Sequence, residues 1–120
     1  MAQLEIRIGN VTLKNPVILA SGPAGYGAEY ADFIGLEKLG AVVTKTISLN
    51  PKAGNSGRRL LETPSGLLNS VGLENVGADI FFGEKLPRLL DLGAKPIVSL
   101  ACEGREDYLK LLEAVSGKDT

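Results

Sequence analysis

The sequence predicts an α/β fold built on a parallel sheet that is covered on both faces, and three observations carry that reading. Short apolar, β-branched runs alternate along the chain with stretches of helical spacing, the order that sets strands parallel and joins them by crossover connections. The apolar runs at residues 17–20, 41–43 and 97–100 are continuous rather than alternating in polarity, as buried strands are. The glycine-rich and polar clusters follow these strands, at the carboxyl edge where parallel α/β folds hold their ligands.

Taken in order, Leu4, Ile6 and Ile8 alternate with other residues, Gly9-Asn10 supplies a turn, and Val11-Thr12-Leu13 follows. Residues 1–14 therefore read as a hairpin cap, with the βα units occupying residues 15–120. The first buried strand, Val17-Ile18-Leu19-Ala20, stops at the glycine-rich segment from Ser21 to Gly27. Tyr30, Phe33, Ile34, Leu36 and Leu39 approximate a helical spacing over residues 28–39, and Gly40 supplies the stop. A second strand opens at Ala41, runs to Ile47 and enters a long polar excursion holding Pro51, Gly54 and Gly57, the kind of loop that carries function. Residues 66–73 lie within that excursion. Residues 78–92 read as a helix interrupted near Pro87, Ile97-Val98-Ser99-Leu100 as the third strand, and residues 105–115 as a helix ending at Gly117. A doubly wound sheet and the first three units of a (β/α)₈ barrel both fit this order. Since such a barrel takes about 250 residues, length alone favours the doubly wound sheet.

Composition narrows the partners. With 44% hydrophobic and 22% charged residues the chain is globular rather than disordered, and a net charge of −1 gives no basic excess for nucleic acid. No apolar run approaches the roughly 20 residues of a membrane helix. The charged start, with Glu5 and Arg7, does not resemble a secretory signal, so a cytoplasmic location is expected. One cysteine and no histidine exclude an internal disulfide, the usual zinc sets and any Ser-His or Cys-His pair within the chain. No metal site is expected, and redox or acyl chemistry would need a borrowed group.

Three clusters lie beyond the predicted strands. The segment from Ser21 to Gly27 has neither a dinucleotide nor a P-loop spacing, and alone reads equally as a flexible turn. Lys45 falls within an apolar run, where a lysine either snorkels at a strand end or is set into a pocket. In a pocket beside a flavin its ammonium would stabilise charge on the reduced ring, and Thr46 would add a hydroxyl. Asn69-Ser70-Val71-Gly72-Leu73 pairs an amide with a glycine that permits close backbone approach, which suits a planar ring carrying imide groups, although such a segment is often only a turn. Arg58 and Arg59 could bind a carboxylate or be solvated. Cys102 reads as a small hydrophobe rather than a base, and the spacing of Glu62, Glu74 and Glu103 singles out none of them as an acid or base.

Together, residues 15–27 (NPVILASGPAGYG), 44–55 (TKTISLNPKAGN) and 58–75 (RRLLETPSGLLNSVGLEN) resemble the dihydroorotate dehydrogenases, most closely the class 1B catalytic subunit. The resemblance runs over almost the whole chain and reverses the length argument: it implies the N-terminal part of a (β/α)₈ TIM barrel, with about three βα units present. It further implies FMN at the barrel mouth and oxidation of dihydroorotate to orotate in pyrimidine biosynthesis. Ser21, Lys45, Thr46 and Ser99 would contact FMN, while Lys45, Asn69, Ser70, Val71, Gly72 and Leu73 would contact the substrate. Ser99 lies in a stretch less typical of the family, and Glu74 and Val76 replace the commoner Gln and Pro. No catalytic base is expected within this chain. The family's base cysteine is expected beyond Thr120, so a 120-residue polypeptide is expected to be inactive alone. Implied partners are a second catalytic subunit, forming a homodimer, and an electron-transfer subunit carrying FAD and an iron–sulfur cluster, with NAD, fumarate or a quinone as terminal acceptor. Two other readings stand beside this one: the flavin domain of a dihydropyrimidine dehydrogenase, and a non-catalytic pyrimidine-binding or assembly module.

Overall fold

The structure, a computed structural model, describes residues 4–116. The chain opens with an antiparallel hairpin of β1 (Ile6–Ile8) and β2 (Val11–Leu13), in which Ile6 pairs with Leu13 and Ile8 with Val11 across the Gly9-Asn10 turn. Leu13 is buried, and Lys95 Nζ donates to Thr12 O at 2.8 Å, so the hairpin is held to the body at the entry to the last strand.

Three parallel strands form the central sheet: β3 (Ile18–Leu19), β4 (Ala41–Val43) and β7 (Pro96–Ile97), in the order β3-β4-β7. The strands are shorter than the apolar runs that announce them, but pairing continues past their ends. Thr44 N donates to Ile97 O, Ile47 N to Ser99 O and Ala101 N to Ile47 O. Ala41 and Val42 of the central strand are fully buried, in keeping with a strand covered on both faces.

Residues 28–39 depart from the expected helix. Two 3₁₀ turns stand there, Ala28–Tyr30 and Leu36–Lys38, with Gly35 extended before the second (φ −69°, ψ 103°). The apolar residues do not share a face: Leu36 is buried while Phe33 is 83% exposed. Without one apolar stripe to bury, a marginal helix has little tertiary packing to hold it. Gly27, ahead of the first turn, has a left-handed φ of 95°, and a Cβ there would lie 2.8 Å from Val42 Cγ1 and 3.1 Å from Leu89 Cδ1.

The helix over residues 77–91 is continuous in path but changes its winding. It runs as α1 (Gly77–Ile80), a π turn (Phe81–Lys85) and α2 (Leu86–Asp91). Pro87 has no N–H to give to the carbonyl four residues back, and its ring crowds that carbonyl, so the wider turn just before it absorbs the misfit. Ala78, Phe81, Phe82, Leu86 and Leu89 are all buried at helical offsets. Phe81 and Phe82 meet edge to face at 5.1 Å, and the cluster closes on Ile47 and on Leu111 of α3 (Arg105–Ser116). The predicted stop at Gly117 lies outside the described residues. A second cluster joins Leu36, Val42, Leu89 and Ala94.

The polar excursion contains an element that the apolar pattern did not announce. Strands β5 (Leu60–Thr63) and β6 (Gly66–Asn69) form an antiparallel hairpin around Pro64-Ser65. Leu60 faces Asn69 and Leu61 faces Leu68, so by strand alternation Leu60, Leu67 and Asn69 share one face and Leu61 and Leu68 the other.

Candidate functional site

The carboxyl edge of the sheet gathers short polar side chains from all three strands. Just past β3, Ser21 Oγ donates to Thr44 O at 2.8 Å, which stitches the ends of β3 and β4 together. The loop that follows turns back so that Lys45 N donates to Gly25 O at 2.9 Å. Thr44 is fully buried, and its hydroxyl accepts from Ser99 N at 3.3 Å. Thr46 Oγ1 and Ser99 Oγ lie 2.9 Å apart. Ser21, Lys45, Thr46 and Ser99 thus belong to one row across the sheet edge.

The hairpin faces this row. Ser21, Gly22, Pro23, Lys45 and Thr46 on one side, and Leu60, Leu67, Asn69, Val71, Leu73 and Glu74 on the other, enclose a cleft of about 570 Å³. That size suits a small organic ligand or cofactor. Lys45 is half-buried, and among the described residues no carboxylate lies within ion-pair distance of it. Glu74, the acid at the cleft, is engaged elsewhere: its Oε2 accepts from Arg59 Nη1 at 2.7 Å. The cleft therefore offers one free ammonium, hydroxyls, an amide and an apolar wall.

Of the five residues from Asn69 to Leu73, alternate ones border the cleft. Asn69, Val71 and Leu73 line it, whereas Ser70 Oγ accepts from Asn55 Nδ2 at 2.8 Å on the far side. Gly72, with φ 76°, presses against Asn55; a Cβ on it would lie 2.5 Å from Asn55 N. Ser99 sits one layer behind Thr46 rather than on the cleft wall. Of the two arginines, Arg59 is consumed in structure, donating to Asn55 O, Ala53 O and Glu74, while Arg58 Nε donates to Leu60 O at 3.0 Å.

Several residues that position the site were not visible beforehand. Leu60 and Leu67 form its apolar wall; the Thr-Pro-Ser-Gly turn between two leucine pairs is the signal that would have revealed the hairpin. Asn75 is buried and bonds Ser48, Leu73 and Gly77. Tyr26 OH accepts from Val76 N at 3.0 Å, and burial pushes its pKa up.

Cys102 lies apart from this cleft, against the Ile47–Phe81 cluster. Burial, reinforced by the Asp107 carboxylate and opposed by Lys52, raises its thiol pKa, which is the behaviour of a packed thiol rather than an activated one. Glu103, fully exposed, has its carboxyl held below the usual range by the hydrogen bond from Lys52 Nζ at 2.7 Å. Among the described residues no helix is long and apolar enough to cross a membrane.

A parallel α/β sheet with a ligand-sized cleft at its carboxyl edge defines a class of binding scaffold, and comparison with known proteins narrows it. The dihydroorotate dehydrogenase family model matches residues 3–118. The catalytic subunit of dihydroorotate dehydrogenase B (NAD⁺) from Geotalea daltonii is 50% identical over 110 residues, covering 92% of this chain and 36% of that protein. The corresponding subunit from Thermodesulfovibrio yellowstonii is 46% identical over 120 residues, covering 98% of this chain and 40% of the relative. A solved structure of the Eimeria tenella dihydroorotate dehydrogenase in complex with ferulenol superposes with a TM-score of 0.65 over 94% of this chain and 34% of the other; at 21% identity it speaks for the fold alone. The chain belongs to the dihydroorotate dehydrogenase family. It spans well under half the length of these relatives.

Proposed function

We propose that this chain is the first part of a (β/α)₈ barrel whose complete polypeptide oxidises dihydroorotate to orotate with FMN, in pyrimidine biosynthesis. The observation that carries the reading is the Lys45 ammonium, without a counter-ion among the described residues, set in a row of hydroxyls at the sheet edge and facing Asn69 across a cleft of about 570 Å³, in a chain of this family. Exposed apolar side chains agree with a barrel wall that further polypeptide covers. The solvent-accessible area is 8209 Å², against about 6,200 Å² for an ordinary folded monomer of this mass.

The residues present fit a flavin. Ser21, Lys45 and Thr46, backed by Ser99, offer hydrogen bonds and a positive charge to a polar ring edge, and Leu60 and Leu67 offer an apolar wall to its neighbour. When bound, FMN supplies the two-electron acceptor for the carbon–carbon bond being oxidised. Lys45 serves both ligands, since a fixed ammonium beside a bound ring counters developing negative charge without having to reorganise as solvent must. Asn69 carries both a donor and an acceptor, which matches the imide edge of the pyrimidine. Val71 and Leu73 line the same cleft and add apolar contacts to the ring. The base that takes the proton lies on a segment outside these residues, and the family resemblance implies a cysteine there. The 120 residues alone are therefore inactive. Because the relatives described above are named as catalytic subunits of an NAD⁺ enzyme, an electron-transfer subunit carrying FAD and an iron–sulfur cluster is the proposed partner, with a homodimer of the catalytic subunit and a cytoplasmic location.

The test is anaerobic mixing of dihydroorotate with the flavin-loaded, full-length protein while following bleaching of the flavin absorbance. The wild type should bleach, and Lys45→Ala should slow bleaching about 100-fold with flavin still bound. Bleaching of Lys45→Ala at the wild-type rate, or a full-length protein that folds without flavin, would overturn the reading.

A further inference from the structure

The cleft wall around Leu73 is held in an unfavourable conformation, and a buried side chain bonds the Leu73 carbonyl directly. Gly72 and Leu73 both have left-handed backbones, with φ of 76° and 56°. Glycine adopts this freely; leucine does so at a standing conformational cost, so the surrounding contacts must enforce it. Among the described residues Leu73 is the one residue other than glycine with a positive φ.

Asn75 supplies the enforcement. Its Nδ2 donates to Leu73 O at 2.9 Å and to Ser48 Oγ at 2.8 Å, while its Oδ1 accepts from Gly77 N at 2.9 Å and Ser48 N at 3.2 Å. Its backbone is paired in both directions with Lys52, each bond 3.0 Å. Ser48 hands its own hydroxyl proton to Asn50 O at 2.7 Å and stands three residues beyond Lys45 on the same run of chain. Asn75 therefore bridges the segment that carries Lys45 and the loop that carries Val71 and Leu73. If the bond to Leu73 O were lost, Leu73 could relax to a right-handed or extended backbone, turning its side chain and shifting Val71 and Asn69 relative to Lys45.

We propose that Asn75, acting with Ser48, is a positioning residue for the pyrimidine ligand: it fixes the Asn69–Leu73 wall at its working distance from Lys45 without touching the ligand itself. This inference rests on the reading of the cleft as the dihydroorotate site. It separates Asn75 from a core residue that merely stabilises the fold, because its loss should weaken ligand binding selectively.

The experiment uses the full-length, flavin-loaded protein and measures flavin content, unfolding midpoint, orotate Kd from perturbation of the flavin absorbance, and kcat and KM for dihydroorotate. Asn75→Asp keeps the acceptor side and removes both donors. Losing the tie should raise orotate Kd and dihydroorotate KM about tenfold while kcat falls less than about threefold and flavin content is unchanged. An orotate Kd within about twofold of wild type, with a lowered unfolding midpoint, would reduce Asn75 to a structural role and overturn the proposal. If Asn75→Asp does not fold, Ser48→Ala decides: it removes one anchor of the Asn75 amide, and a rise in orotate Kd of about threefold at full flavin content supports the proposal, while an unchanged Kd overturns it. Lys45→Ala and Asn69→Ala, measured alongside, test the cleft reading separately. If both leave orotate binding intact, that reading fails, whatever Asn75 does.

Discussion

Thr44, Lys45 and Thr46 take three different roles at consecutive positions. Thr44 is buried and accepts from Ser99 N, Thr46 shares a hydrogen bond with Ser99 Oγ, and Lys45 enters the cleft without a counter-ion among the described residues. The contrast with Cys102 is instructive, because that thiol is packed against the core and its pKa is pushed up by burial. Cys102→Ala in the full-length protein should leave kcat/KM for dihydroorotate within about twofold, and the thiol should alkylate slowly at neutral pH; a large loss of turnover would make Cys102 part of the chemistry. Tyr26 yields a pH prediction. Its pKa is raised chiefly by burial, so the folded state keeps its proton where the unfolded state has lost it, and the stability present below pH 10.0 is lost as pH rises towards the raised folded value. Urea unfolding over a pH series should show this alkaline decline, and Tyr26→Phe should flatten it. An equally steep decline in the variant would assign the effect to other groups. Lys45 was legible in the sequence because an apolar strand run rarely tolerates a lysine without a reason. Asn75 was not, since its partner Ser48 is 27 residues away and asparagine in a loop looks like any turn residue.

At the scale of elements, the parallel strands were legible from their β-branched runs and the helix over residues 77–91 from its buried stripe, down to the disturbance at Pro87. The segment 28–39 was misleading, because apolar spacing alone does not say that the apolar side chains will find one surface to pack against, and Phe33 does not. The β5–β6 hairpin was hidden by the polar residues that precede it. It is nevertheless the element that makes the cleft, since it brings Leu60, Leu67 and Asn69 over the sheet edge. Gly27 couples the first loop to the core: its left-handed φ and the closeness of Val42 and Leu89 leave no room for a side chain. Gly27→Ala should destabilise the full-length protein by about 2–3 kcal/mol, read from the urea midpoint, with both buried neighbours forced to move. A change within about 0.5 kcal/mol would mean that the loop after β3 is not held as described.

For the molecule as a whole, a sheet ordered β3-β4-β7 buries Ala41 and Val42 of its central strand completely while Ile97 on its outer strand remains 40% exposed. The radius of gyration, 16.0 Å, exceeds the roughly 13.6 Å of a compact domain of this length, which agrees with the proposal of a barrel segment. A polypeptide limited to these 120 residues should accordingly bind no flavin and self-associate, whereas the full-length protein should be monodisperse and yellow. Size-exclusion chromatography with flavin absorbance on both lengths checks this. A monodisperse, flavin-binding short form would show that the first units make a complete site by themselves.

A crystal structure of the full-length protein with flavin and orotate bound would show directly where both ligands sit. The flavin ring should lie against Ser21, Lys45 and Thr46, and orotate between Lys45 and the Asn69–Leu73 wall, with Leu73 still left-handed. Orotate bound away from Lys45 and Asn69, with the cleft under the β5–β6 hairpin filled by protein, would contradict it.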